Sequence, residues 1–243
     1  MKDGWILAFD TATRATAVAL AGPDGARFEA RDDPPAGERP RHAAKLLPLC
    51  ADVLDRGGVN FAELERIAVG IGPGTFTGLR IGVATARALA CASQVGLVGV
   101  STLQSMALAA LPELTRSGHE AVLAVLDARR GEVFIGVWLR DELGRLGRPL
   151  VGPVALGPQD LRDEVARLGV SALAVGEGAI AFREVLERSG AFVPEDGSLI
   201  HRVSAASHCR IAWDLEPSDP GRVQPEYLRL PDAELARRAA GKQ

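Results

Sequence analysis

Apolar residues along this chain fall into two alternating rhythms. Trp5-Ile-Leu-Ala-Phe9 is an unbroken apolar run closed by a polar break, Asp10-Thr11-Ala12-Thr13, which predicts a buried strand. Thr16 to Ala21 predicts a second strand, ended by the turn Gly22-Pro23-Asp24-Gly25. A third strand around Ala26 to Arg31 would complete an antiparallel meander, and the proline- and charge-rich stretch 32–40 reads as a loop. From Arg41 the step lengthens to three and four residues. Ala43, Leu46, Leu47, Cys50, Val53 and Leu54 share one face of an amphipathic helix, expected to kink at Pro48 and to end at Gly57-Gly58. A strand at Ile67 to Ile71, a glycine-rich turn at Gly72 to Gly78, a helix from about Thr77 to Ser93 and a strand at Leu97 to Val100 follow. Ser101-Thr102 then caps a helix expected over about Leu103 to Leu111.

At Ala121 the pattern starts again. Val122 to Leu126 is an apolar run closed by Asp127-Ala-Arg-Arg-Gly131, and Glu132 to Leu139 alternates as a half-buried strand should. Helices are predicted near 158–168, 179–189 and 204–215, with a strand at 172–175. The two halves open with one grammar, "LAFDTATRATAVAL" and "LAVLDARRGEVFIGV", which points to a duplicated α/β unit of the kind found in RNase-H-like and actin-like folds. The expected division is an N-terminal lobe at 1–102, a C-terminal lobe at 103–203, a helix at about 204–216 packing back on the first lobe, and a tail at 217–243.

Composition narrows the partners. Hydrophobic residues at 47% and charged residues at 24% are ordinary globular values. A net charge of −3 gives no electrostatic reason for strong binding to nucleic acid by this chain alone. The adjacent pairs Arg129-Arg130 and Arg237-Arg238 read as solvated surface. Cys50, Cys91 and Cys209 form no CxxC and are expected to be buried, inert thiols. No apolar stretch reaches the length of a membrane span or a signal-peptide core, so the expected compartment is the cytoplasm, without a membrane partner.

Three features carry candidate chemistry. Gly72-Pro-Gly-Thr-Phe-Thr-Gly78 feeds a helix N-terminus, where backbone N–H groups either receive an anion or are capped by Thr75 and Thr77; the spacing matches neither a P-loop nor a Rossmann fingerprint. Gly78, Gly82, Ala86 and Ala90 recur every four residues, leaving one helical face almost bare. Glycine costs a helix roughly 1 kcal/mol relative to alanine, so something packs closely there: the chain's own sheet or another subunit. Asp10, with Thr11 beside it, and Asp127 stand where an actin-like ATPase holds magnesium or phosphate, or they cap turns. His42 reads as an exposed or interfacial residue at a helix start. No histidine cluster for a metal and no GxSxG elbow is present, and no nucleophile–base pair is legible.

The opening "ILAFDTATRATAVAL", then "RHAAKLLPL", "AVGIGPGTFTGLRIGVATARALA", "GVSTL", "DARRGEVF" and "YLRLPDAELARR" resemble, in that order, the TsaB (YeaZ) family. The resemblance spans nearly the whole chain. It implies a two-lobed actin/Hsp70-like (ASKHA) fold and a place in making threonylcarbamoyladenosine beside the tRNA anticodon. It also implies a non-catalytic subunit that binds and activates a metal-bearing TsaD-type transferase, is joined by a TsaE-type ATPase, and forms homodimers through the same N-terminal lobe. Where such transferases carry a histidine pair, this chain has His42 followed by Ala43-Ala44-Lys45, in place of the family's usual Ser-Glu-Arg. Neither a metal nor a cofactor is therefore expected. Period and resemblance together place the partner interface at His42, Leu46, Leu47, Gly74, Phe76, Gly78, Arg80, Gly82 and Ala86. The competing reading is an ATP-dependent phosphotransferase of the acetate- or sugar-kinase-like class using Asp10 and Asp127.

Overall fold

A computed structural model describes residues 4–35, 37–140 and 146–229. The first sheet has the order β3-β2-β1-β4-β5, from β1 (Trp5–Asp10), β2 (Thr16–Ala21), β3 (Arg27–Asp32), β4 (Leu64–Gly72) and β5 (Gly96–Ser101). The second has the order β10-β9-β6-β7-β8, from β6 (Ala121–Arg129), β7 (Glu132–Arg140), β8 (Leu146–Leu156), β9 (Ala172–Val175) and β10 (Ala191–Phe192). In each, three antiparallel strands lead and two parallel strands follow on the side of the first. The two sheets thus repeat one RNase-H-like topology, the duplicated α/β arrangement of actin-like folds.

Alternation along β1 assigns the faces. Leu7 and Phe9 join Val18, Leu20, Ile67 and Val69 under α1 (His42–Gly57) and α2 (Phe76–Ser93). Ile6 and Ala8 join Ala17, Ala19 and Ala68 on the opposite face, under α8 (Ala205–Ala212). Alanines there let α8 lie close enough for the Cys209 thiol to reach the carbonyls of Ile6 and Ala19 at 3.6 and 3.8 Å. The second sheet packs one face on α3 (Thr102–Ala109) and α4 (Leu111–Ser117). Its other face packs on α5 (Pro158–Arg167), α6 (Glu177–Ala181) and α7 (Arg183–Arg188). Helices α3 and α8 touch each other between the sheets and join the two halves.

Several expectations need adjustment. Helix α1 runs through Pro48 as one element and closes on Gly58 in the left-handed conformation, φ 63°. The helix expected over 103–111 stops at Ala109, and α4 starts at Leu111. That expected over 179–189 is two short helices around Phe182. Strand β8 appears in a stretch, "LGRPLVGPVAL", that carries no alternation to announce it. Cys91 is exposed, while Cys50 and Cys209 are buried.

The segment after α8 is a strap across the first sheet and α2. Ser218 pairs with Leu97, with Ser218 N donating to Leu97 O at 2.9 Å. Arg87 reaches the carbonyls of Val223 and Gly221 at 2.9 and 3.0 Å, and Glu226 N donates to Ile71 O at 2.7 Å. Arg229 then bonds Ala128 O and pairs with Glu132 of the other sheet, each at 3.1 Å. The rest of the expected tail, 230–243, lies outside the described residues.

Candidate functional site

Asp10, at the end of β1, is 1% exposed. Its Oδ1 accepts from Ala12 N at 2.7 Å; its Oδ2 accepts from Thr102 Oγ1 at 2.7 Å and from His208 Nε2 at 3.0 Å. Burial alone would raise its pKa. The hydrogen bond and charge of His208, with the Ala12 N–H and the Thr102 hydroxyl, outweigh burial and hold the carboxyl below its ordinary value. Because Nε2 faces a carboxylate it must carry a hydrogen, which turns Nδ1 toward Ser105 Oγ at 2.8 Å and Ser204 O at 3.1 Å. Thr11 is also enclosed, its hydroxyl donating to Gly78 O at 2.7 Å.

Ser105, His208 and Asp10 thus stand in the order of a hydrolase triad, a nucleophile–base pair that sequence reasoning did not find. Ser105 and His208 are fully buried, and the Ser105 hydroxyl, with one hydrogen to give, has both His208 Nδ1 at 2.8 Å and Ser204 O at 3.0 Å within reach as acceptors. The enclosed arrangement ties α3 and α8 to the end of β1.

Asp127, the counterpart on β6, is half-buried. It accepts from Arg129 N at 2.7 Å and pairs with the Arg129 side chain at 3.1 Å, which is the behaviour of a turn cap. Arg129 and Arg130 occupy the left-handed region, φ 67° and 56°, so this cap holds an unfavourable turn in place. Beside it, burial first and then the Asp127 charge push the Glu177 pKa up. Between the halves lies a polar recess of about 250 Å³, lined by Thr13, Arg14, Glu177, His201 and Arg202 among others. Asp10 does not line it. Among the described residues, no three of His, Cys, Asp and Glu are grouped to hold a metal ion.

The expected interface residues separate into two sets. His42, Leu46, Gly78, Gly82 and Ala86 are buried. A Cβ on Gly78 would collide with the Thr11 carbonyl, and one on Gly82 with the Thr11 hydroxyl. The small-residue ridge therefore lies on the chain's own sheet, and these five are corrected from surface contacts to supports. His42 is likewise not exposed: its Nδ1 lies 2.9 Å from Thr16 Oγ1, and burial depresses its pKa. Leu47 and Arg80 do face outward, Leu47 with 52% of its surface exposed, and Gly74 and Phe76 are half-buried. The Arg80 guanidinium lies 4.1 Å above the Phe76 ring, which in turn meets the Tyr227 ring of the strap at 5.1 Å.

Residues absent from the expected set complete that outer surface: Ala43, Ala44, Pro48 and Ala51 on α1, and Ala84 and Ala88 on α2 are exposed. A helical face that is both solvent-facing and nearly free of charge was readable in "ATARALACAS", once the glycine ridge is known to point inward.

The family model for TsaD, tRNA N6-adenosine threonylcarbamoyltransferase, matches residues 35–160. The tRNA threonylcarbamoyladenosine biosynthesis protein TsaB of Escherichia coli (strain K12) is 36% identical over 198 residues, covering 80% of this chain and 80% of that protein. YeaZ from Pseudomonas aeruginosa superposes with a TM-score of 0.72 at 30% identity, over 93% of this chain and 100% of that one. A second Pseudomonas aeruginosa structure, described as having similarity to peptidase YeaZ, gives a TM-score of 0.73 at 30% identity with the same coverage. By this identity, coverage and shared architecture, the chain belongs to the TsaB (YeaZ) family of tRNA threonylcarbamoyladenosine biosynthesis proteins.

Proposed function

We propose that this chain is an accessory subunit that docks a TsaD-type transferase through the outer face of α1 and α2 and favours its active form, without an active site of its own. One observation carries the reading: the outer face of the paired helices offers Ala43, Ala44, Leu47, Pro48, Ala51, Ala84 and Ala88 to solvent. Small side chains let a second helical pair approach closely, and burying Leu47 supplies an apolar anchor. Binding raises the transferase's activity only as far as it prefers the competent conformer. A homodimer would use the same face and so compete with the transferase; a TsaE-type ATPase would join elsewhere, in the cytoplasm where the pathway's tRNA is modified. The sealed Asp10 supports the accessory reading over the phosphotransferase.

Leu47→Glu and Ala84→Arg test the docking face. Each places a charge within the proposed contact at a position that is exposed in the free chain. Both variants are expected to keep the parent thermal transition and to lose co-elution with the organism's own TsaD-type subunit. Undiminished co-elution and tRNA threonylcarbamoylation by the double variant would remove this face from the proposal.

A further inference from the structure

Helix α2 begins without a side-chain cap. Its first turn is placed instead by the loop between β1 and β2: Thr75 N donates to Ala12 O at 2.7 Å, and the Thr11 hydroxyl donates to Gly78 O at 2.7 Å. That loop is itself held by Asp10, whose Oδ1 receives Ala12 N. The other oxygen of Asp10 is fixed by Thr102 and by His208, which arrives from a position 198 residues away in the chain. His208 is fully buried and braced on its far side by Ser105. A continuous hydrogen-bonded path therefore runs from α3 and α8, between the sheets, to the turn that presents Phe76 and Arg80.

We propose that His208 is a positioning residue for the docking face: through Asp10 and the Ala12 peptide it sets where α2 begins, and so the placement of Phe76 and Arg80. The inference rests on the docking reading for its consequence, but the positioning itself is a property of the free chain. Without His208, Oδ2 of the buried Asp10 carboxylate keeps only the Thr102 hydroxyl as donor, a state that reorganises or takes up a proton. Either response loosens the acceptor that holds Ala12. Every step of that path is a contact of hydrogen-bond length, which distinguishes it from mere proximity.

The test compares wild type with His208→Ala, His208→Gln and Ser105→Ala by amide hydrogen exchange, each under conditions where it retains wild-type circular dichroism. Amides of Thr75 to Leu79 are expected to exchange about tenfold faster in His208→Ala, with those of Ala172 to Val175 in the other sheet unchanged. Capture of the organism's TsaD-type subunit should weaken by about tenfold. Free imidazole should restore both in His208→Ala, which repair of a merely structural gap by a non-specific additive would not do selectively at α2. If His208→Ala does not fold, Ser105→Ala carries the test, with the same local change at about two- to threefold. Exchange that is unchanged at α2, or that rises equally in both sheets, overturns the proposal. Wild type that fails to bind the transferase subunit overturns the docking reading instead, and the exchange result still decides the positioning.

Discussion

Two buried groups beside the turn between β1 and β2, the His42 imidazole and the Asp10 carboxyl, respond to pH in separate windows. His42 lies against Thr16 under the start of α1, where burial lowers its pKa against the opposing influence of Asp10 and Asp32. The folded chain holds it neutral at a pH where the unfolded chain, with an ordinary imidazole near 6.5, already takes up a proton. Its contribution is therefore complete above that ordinary value and shrinks as pH falls through it toward the folded value. Urea midpoints measured between pH 7.5 and 5.5 should fall for wild type and fall less for His42→Gln; parallel curves would show that His42 does not set the slope. Asp10 acts in a separate window. Its pKa is lowered in the fold, so its stabilisation is present above the ordinary carboxylate value and is lost only as pH falls through the folded one.

At the scale of elements, α2 shows what a period reveals and what it conceals. Spacing of four placed Gly78, Gly82, Ala86 and Ala90 on one face, and that is where they are. Which way the face points depends on the residues after β1, since the Thr11 carbonyl and hydroxyl occupy the groove where a Cβ would stand. The same holds for α1: Leu46, Cys50, Val53 and Leu54 were legible as an apolar stripe, but Leu47 belongs to the opposite surface. Strand β8 escaped because Pro149 and Pro153 interrupt its alternation, as suits the edge of a sheet. His208 escaped because nothing local marks a contact made across the whole chain. Gly82→Leu, which sequence alone would recommend as a probe of the interface, is on this geometry a probe of the core. Overpacking there is expected to cost about 1–3 kcal/mol or more. For a chain of this size each kcal/mol lowers the thermal midpoint by roughly 2–4 °C, so calorimetry of the free chain should register the change before any partner is added. An unshifted midpoint would return the ridge to the surface.

For the whole molecule, the repeated sheets create the setting of a phosphotransferase, while Asp10 is arranged against that use. An incoming magnesium ion would have to take Oδ2 from both His208 and Thr102. Hydrogen bonds to a charged group are worth about 1.5–3 kcal/mol each, so displacing the two opposes binding by roughly 3–6 kcal/mol, a factor of about 10² to 10⁴ in affinity. Asp127 offers no substitute, since its oxygens are engaged by Arg129. The strap adds a second restraint: Arg229 fastens the end of a segment laid along α2 to Ala128 and Glu132 of the other sheet, so the halves are joined both through α3 and α8 and across the outside. Titration of the isolated chain with ATP and magnesium should accordingly give no saturable heat and no phosphate release. Stoichiometric binding accompanied by turnover would mean that His208 yields Asp10 readily, and the phosphotransferase reading would then displace the accessory one.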